Sequence, residues 1–184
     1  MPSSHLILGG ARSGKSRFAT QSLSARARVA FVATAEPRDA DMSARIERHR
    51  GERPRTWTTI EEPLALADVL RGLEGRADAV VVDCLTLWVA NRLLKGDTAA
   101  AVLAEVRDIA ALIAQRPYDL TLVTNEVGEG VHPSSEDGRR FRDLLGLVNQ
   151  AIAAACDEVT LMVAGQPLTV KARVSVHERA PEAP

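Results

Sequence analysis

The chain has 184 residues, enough for one domain with a full core and too few for two comfortable ones. Hydrophobic residues at 46% and charged residues at 26% describe a soluble globular protein, and aromatics at 3% leave the core to Ala, Val, Leu and Ile. A net charge of −1 supplies no field to hold nucleic acid or an anionic membrane, and the longest apolar run, Ala79 to Ala90, is interrupted by Asp83 and too short to span a bilayer.

Strand-like and helix-like segments alternate along the chain. Leu6-Ile7-Leu8 reads as a first strand, and Arg17 to Leu23 as a helix. Val29 to Thr34 is a β-branched run ending in a polar turn. Asp39 to Arg50 is charged and helix-like, with Met42 and Ile46 at helical spacing. Thr56 to Ile60 predicts a short strand, and a helix resumes from Pro63 to Leu70. Ala79 to Asp83 is a continuous apolar run closed by a carboxylate, the pattern of a strand buried on both faces. Trp88 to Leu94 and Ala99 to Ala114 predict helices broken at Gly96-Asp97. Leu120 to Thr124 predicts another buried strand, Phe141 to Ala155 an amphipathic helix, and Glu158 to Val163 a further strand. Gly165-Gln166-Pro167 then reads as a turn into an edge hairpin ending at Val170.

This order predicts an α/β fold, a mostly parallel sheet flanked by helices with an antiparallel edge hairpin. Residues 1–177 form the expected domain and 178–184 a frayed tail. Cys84 and Cys156 lack metal-ligand spacing and read as free thiols. With only a three-residue apolar patch near the N-terminus, no signal peptide is expected, and the cytoplasm is the default location.

The first strand runs directly into Gly9-Gly10-Ala11-Arg12-Ser13-Gly14-Lys15-Ser16, a match to G-x-x-x-x-G-K-[ST]. Glycines let backbone N–H groups turn inward around phosphate oxygens, and the following helix presents its positive end. Lys15 is placed to reach the β- and γ-phosphates and Ser16 to coordinate Mg²⁺. Asp83, at the end of the Val-rich strand, reads as the second metal ligand or as the N-cap of the next helix.

The stretch from Arg45 to Arg55 carries a second signal. Arg45 and His49 lie one helical turn apart, and the surrounding arginines would disfavour an imidazolium. A neutral imidazole near a triphosphate is a nucleophile or proton acceptor, though a solvated helix face is the commonest use of such a run. Asn125-Glu126-Val127-Gly128 follows a buried strand and reads equally as a substrate-orienting pair or as a self-satisfied turn. His5, His132 and His177 read as incidental, and Ser134-Ser135 as helix-capping chemistry.

Taken together, these blocks resemble the bifunctional adenosylcobinamide kinase/adenosylcobinamide-phosphate guanylyltransferase family of cobalamin synthesis. The resemblance runs from about Leu6 to Lys171. It is carried by the phosphate loop, Ala33-Thr34, the block Asp39…Met42…Arg45-Ile46…His49…Arg53-Pro54…Trp57, Thr124 to Gly128, Asn149-Gln150, and Gly165-Gln166-Pro167-Leu168…Lys171. Asp41 and Asp83 stand where family members often or sometimes carry Glu.

The resemblance implies a RecA-like P-loop fold and two reactions. ATP or GTP phosphorylates the aminopropanol hydroxyl of adenosylcobinamide, and GTP then donates GMP to that phosphate. It further implies that His49 carries the GMP as a phosphoramidate. Nucleotide contacts are implied at Gly9 to Ser16, Ala33, Thr34, Ala35, Arg50, Gly51, Glu52, Arg53, Glu61 and Asp83, and a homotrimeric assembly is implied as well. Two other readings stay open: a single-activity P-loop kinase for a small alcohol, and a RecA-like ATP-dependent interaction module.

Overall fold

The computed structural model describes residues 1–51 and 53–173, with the side chain of Arg45 excepted. Glu52, His177 and the expected tail lie outside the described residues. The first half of the chain runs β1 (Ser4–Gly9), α1 (Lys15–Ser22), β2 (Val29–Ala33), α2 (Ala40–Gly51), β3 (Thr58–Glu61), α3 (Leu66–Gly72) and β4 (Ala79–Asp83). The second half runs α4 (Leu85–Leu94), α5 (Ala99–Gln115), β5 (Asp119–Val123), α6 (Glu136–Ala155), β6 (Glu158–Val163) and β7 (Gln166–Lys171). The strands form one seven-stranded sheet in the order β3-β2-β4-β5-β1-β6-β7. Every neighbouring pair is parallel except β6 and β7, the antiparallel edge hairpin.

Period-2 alternation divides the core between the two faces of the sheet. Leu6, Val80, Val82, Leu120 and Leu122 pack with residues of α3, α4, α5 and α6 on one face. Ile7, Phe31, Val81 and Val123 pack with Ala19 and Leu23 at α1, and with Trp57, on the other. A central strand therefore needs apolar residues at every position, the reason Ala79-Val80-Val81-Val82 is unbroken. Each fully buried Val contributes roughly 1.5–3 kcal/mol. No α2 residue belongs to either buried cluster, and Met42 and Ile46 are half-buried. Core packing thus leaves α2 to be placed by the polar groups at its end.

Three helix starts differ from expectation by three residues or more, two of them through a local polar contact. Helix α6 begins at Glu136 because Ser135 Oγ accepts from Gly138 N at 3.1 Å, so Ser135 is the cap that sequence suggested, but for a longer helix. Helix α3 begins only at Leu66, because Glu62 Oε1 accepts from both Leu64 N and Ala65 N and holds that segment as a turn. Helix α4 begins at Leu85, three residues before the expected Trp88. At the hairpin, Ala164 and Gly165 have positive φ and make the turn, while Gln166 and Pro167 already belong to β7. No helix among the described residues is long and apolar enough to cross a membrane.

His5 is the incidental histidine that nonetheless leaves a thermodynamic mark. Its Nε2 lies 2.8 Å from Thr160 Oγ1 and its ring meets Phe18 edge-on, half-buried on β1. Burial holds its pKa below the ordinary 6.5, against a smaller opposing pull from Glu158. The unfolded chain therefore takes up this proton first. The His5 contribution is constant above pH 6.5 and declines as pH falls below it. The thermal midpoint of the native chain should fall between about pH 7.5 and about pH 5.5, and His5→Gln should shrink that fall. An identical pH slope in the variant would contradict the assignment.

Candidate functional site

The phosphate loop is built by backbone geometry that its glycines permit. Gly9 has φ 150°, and a Cβ there would meet Met162 O at 2.6 Å and Ser13 Oγ at 2.7 Å. Gly14 sits at φ 96° as the N-cap of α1, so no side chain stands before the amides of the first helical turn. Gly165 N donates to Ser13 O at 3.0 Å, which ties the edge hairpin to the loop. Lys15 is buried, and its Nζ donates to Gly10 O at 2.6 Å. Ser16 is half-buried in the first turn of α1, while Ala11 and Arg12 are exposed.

Sheet register assembles the rest. Ala33 lies opposite both Glu61 and Asp83, Asp83 lies opposite Val123, and Val123 opposite Ile7 just before the loop. The carboxyl ends of five strands thus form one edge, where ligands of open α/β sheets sit. Thr34 fastens two of them: its Oγ1 accepts from Cys84 N at 2.8 Å and donates to Cys84 O at 2.7 Å. The Asp83–Cys84 peptide is cis. Burial, with the Asp83 charge adding to it, pushes the Cys84 thiol up to about 11, so it is no thiolate nucleophile at neutral pH.

Helix α2 brings His49 to this edge, with Nδ1 4.0 Å from Asp83 Oδ2. Two of the arginines expected around the imidazole are engaged elsewhere. Arg50 pairs with Glu47 at 2.6 Å and with Glu61, tying α2 to the end of β3. Arg53 lays its guanidinium 3.9 Å above the Phe31 ring, where burial lowers its pKa and its Nε is buried without a partner. Gly51 is exposed at the end of α2, and Ala35 is half-buried beyond Thr34. Among the described side chains, His49 is therefore paired with a carboxylate, Asp83.

The sequence profile of the family described as cobinamide kinase / cobinamide phosphate guanyltransferase (CobU) matches residues 5–170. The chain belongs to this family. It is 45% identical over 168 residues to the bifunctional adenosylcobalamin biosynthesis protein CobP of Pseudomonas aeruginosa, covering 90% of this chain and 96% of that one. It is 38% identical over 178 residues to the bifunctional protein CobU of Escherichia coli K12, covering 90% and 98% of the two chains. Among solved structures, a Pyrococcus horikoshii OT3 protein matches with TM-score 0.58 at 8% identity, over 92% of this chain and 86% of that one. A type III secretion system ATPase matches with TM-score 0.53 at 10% identity, over 88% and 51%. These last two share the fold alone. The chain is thus a member of an enzyme family on a P-loop NTPase-like scaffold.

Within this CobU-family fold, the polar residues behind the strand ends divide into structural and available groups. Glu126 Oε1 accepts from Gly128 N at 2.9 Å, the self-satisfied turn. Asn125 is held through its backbone, its N donating to Thr86 Oγ1 and its O accepting from Asn149 Nδ2. His132 Nδ1 lies 2.6 Å from Arg142 Nη1 on an exposed loop. Sequence reading overlooked Asn91, whose Nδ2 donates to Thr34 O at 2.7 Å and to Pro63 O at 3.2 Å. The available signal was an amide inside the otherwise apolar Leu85–Leu94 helix.

Asp83 remains available. The N-cap of α4 is Cys84, with no side-chain cap bond, so Asp83 does not cap that helix. Ser16 and Asp83 suit Mg²⁺, which is commonly held by one or two carboxylates with the remaining positions left to water and phosphate. No group of three or more His, Cys, Asp or Glu side chains placed to hold a metal occurs among the described residues. Asp83→Asn should lower Mg²⁺-dependent turnover about a hundredfold, with the thermal midpoint nearly unchanged. A collapsed midpoint with unaltered metal dependence would return Asp83 to a structural role.

Proposed function

We propose that the protein phosphorylates adenosylcobinamide with ATP or GTP and then transfers GMP from GTP to the product through a guanylyl-His49 intermediate. The observation that carries this reading is the placement of His49, 34 positions from Lys15 in sequence, beside Asp83 on the strand edge that ends in the phosphate loop. With Nδ1 toward Asp83, Nε2 is the nitrogen left for attack. It forms a P–N bond to the α-phosphorus of GTP while the P–O bond to pyrophosphate breaks. A phosphate oxygen of adenosylcobinamide phosphate then displaces the imidazole, giving adenosylcobinamide-GDP and restoring His49.

Lys15 and the loop amides neutralise charge on the phosphoryl oxygens in both reactions. Ser16 and Asp83 would hold Mg²⁺, which would supply further charge neutralisation on those oxygens. Arg50, Gly51, Glu52, Arg53, Glu61 and the Ala33-Thr34-Ala35 segment are the proposed remaining nucleotide contacts. A cytoplasmic homotrimer belongs to the same proposal.

The test is incubation with GTP labelled in the α-phosphate. The reading expects a covalent, acid-labile label that maps to His49 and chases into corrinoid on addition of adenosylcobinamide phosphate. Corrinoid phosphorylation without any labelling would instead support the single-activity kinase. Nucleotide hydrolysis with neither would support the interaction module.

A further inference from the structure

Between the segment that follows β2 and the far end of α4 lies an open groove of about 340 Å³, lined by Glu36, Arg38, Leu94 and Lys95. We propose that this groove docks the corrin ring of the acceptor in both reactions, an inference that rests on the function proposed above.

Its walls are held by polar contacts that run from the surface inward to buried Asn91. Arg38 Nη2 donates to Glu36 Oε2 at 2.6 Å and to Asn91 Oδ1 at 3.0 Å. Asn91 is 3% exposed and donates onward to Thr34 O, which ties the groove to the strand edge that carries Asp83. Trp88 Nε1 donates to Leu64 O at 2.8 Å and fixes the same helix against the loop after β3.

The lining chemistry matches a macrocycle rather than a triphosphate. Leu94 is 69% exposed, off the stripe of Leu85, Trp88 and Val89 that enters the core, so packing does not account for an apolar residue there. Beside it stand a carboxylate, a guanidinium and an ammonium. Cobinamide presents an apolar, methyl-bearing ring bordered by carboxamides, which both donate and accept hydrogen bonds. A triphosphate would instead call for glycine amides or uniform positive charge.

Distance supports the same occupant. Helix α4 begins beside Asp83 and runs ten residues to Leu94, a rise of about 15 Å. The reacting oxygen of the acceptor sits at the end of a side arm, so its ring must dock away from the phosphorus under attack. The hydroxyl phosphorylated first and the phosphate guanylylated second lie on that same arm, so one docking surface serves both steps.

Leu94→Asp and Lys95→Glu, at exposed positions, test this with the full-length enzyme. Corrinoid KM should rise about tenfold in both the kinase and guanylyltransferase assays, with kcat at saturating corrinoid and the thermal midpoint little changed. Labelling by α-labelled GTP without corrinoid should keep its native rate and extent. Unchanged corrinoid KM in both variants would overturn the docking site. A raised GTP KM or slowed labelling would overturn it too, by assigning the groove to nucleotide. If the native enzyme takes no label from GTP, the functional reading beneath the proposal fails first.

Discussion

Lys15→Ala is expected to abolish both corrinoid phosphorylation and GMP transfer, each by at least about a thousandfold, while leaving a folded protein. In either reaction a phosphoryl group is transferred with charge spread over oxygens that the loop and its lysine must neutralise. The fold should tolerate the loss even though Lys15 is buried. The carbonyl that Nζ contacts, Gly10 O, also accepts from Ser13 N at 3.3 Å, so truncation does not orphan it. The stability change should therefore be about 1 kcal/mol, read as a small shift in a circular-dichroism melt. Steady-state assays of both steps on the same preparation decide the matter. Native turnover in either one would remove the loop from the chemistry.

The fold was legible where one physical signal acted alone. Ala79 to Val82 is buried on both faces, so the apolar run closed by Asp83 marked the strand to the residue. Helix starts were harder to read, because they depend on single side-chain contacts such as Ser135 to Gly138 and Glu62 to Ala65. Residues 136–140 carry no apolar period, so the first turn of α6 was invisible to pattern alone. Strand order was not legible either. The chain passes from β4 to β5 beside it, yet β1 lies on the far side of β5, and no local pattern records that crossing.

The site was legible in part for the same reason. Its phosphate loop is contiguous, and the glycines that shape it are spelled out in order. His49 was singled out by chemistry, but its carboxylate neighbour was not. In sequence it stands among arginines, whereas in space Arg50 turns to Glu61, Arg53 turns to Phe31, and the imidazole faces Asp83. Asn91 was missed because its role is to join Thr34, Pro63 and Arg38, residues 28 to 57 positions away. Helical spacing shows which face a residue occupies and says nothing of what another strand brings to it.

His49→Ala should separate the two reactions. GMP transfer and covalent labelling from α-labelled GTP should both disappear, because the variant has no imidazole nitrogen beside Asp83 to form the P–N bond. Phosphorylation of adenosylcobinamide should survive in part, since direct attack by the substrate hydroxyl on the γ-phosphorus needs no protein nucleophile. The substitution should cost little stability. His49 is half-buried on a helix that adds nothing to either core cluster, and 4.0 Å is too long for a hydrogen bond to Asp83. Retained transfer, or a label on another residue, would show that the intermediate does not form on His49. Equal loss of both activities in a folded variant would make His49 a phosphate-binding residue and favour a single-activity kinase. A surviving kinase beside a silent transferase is the outcome that places the nucleophile on the His49 imidazole.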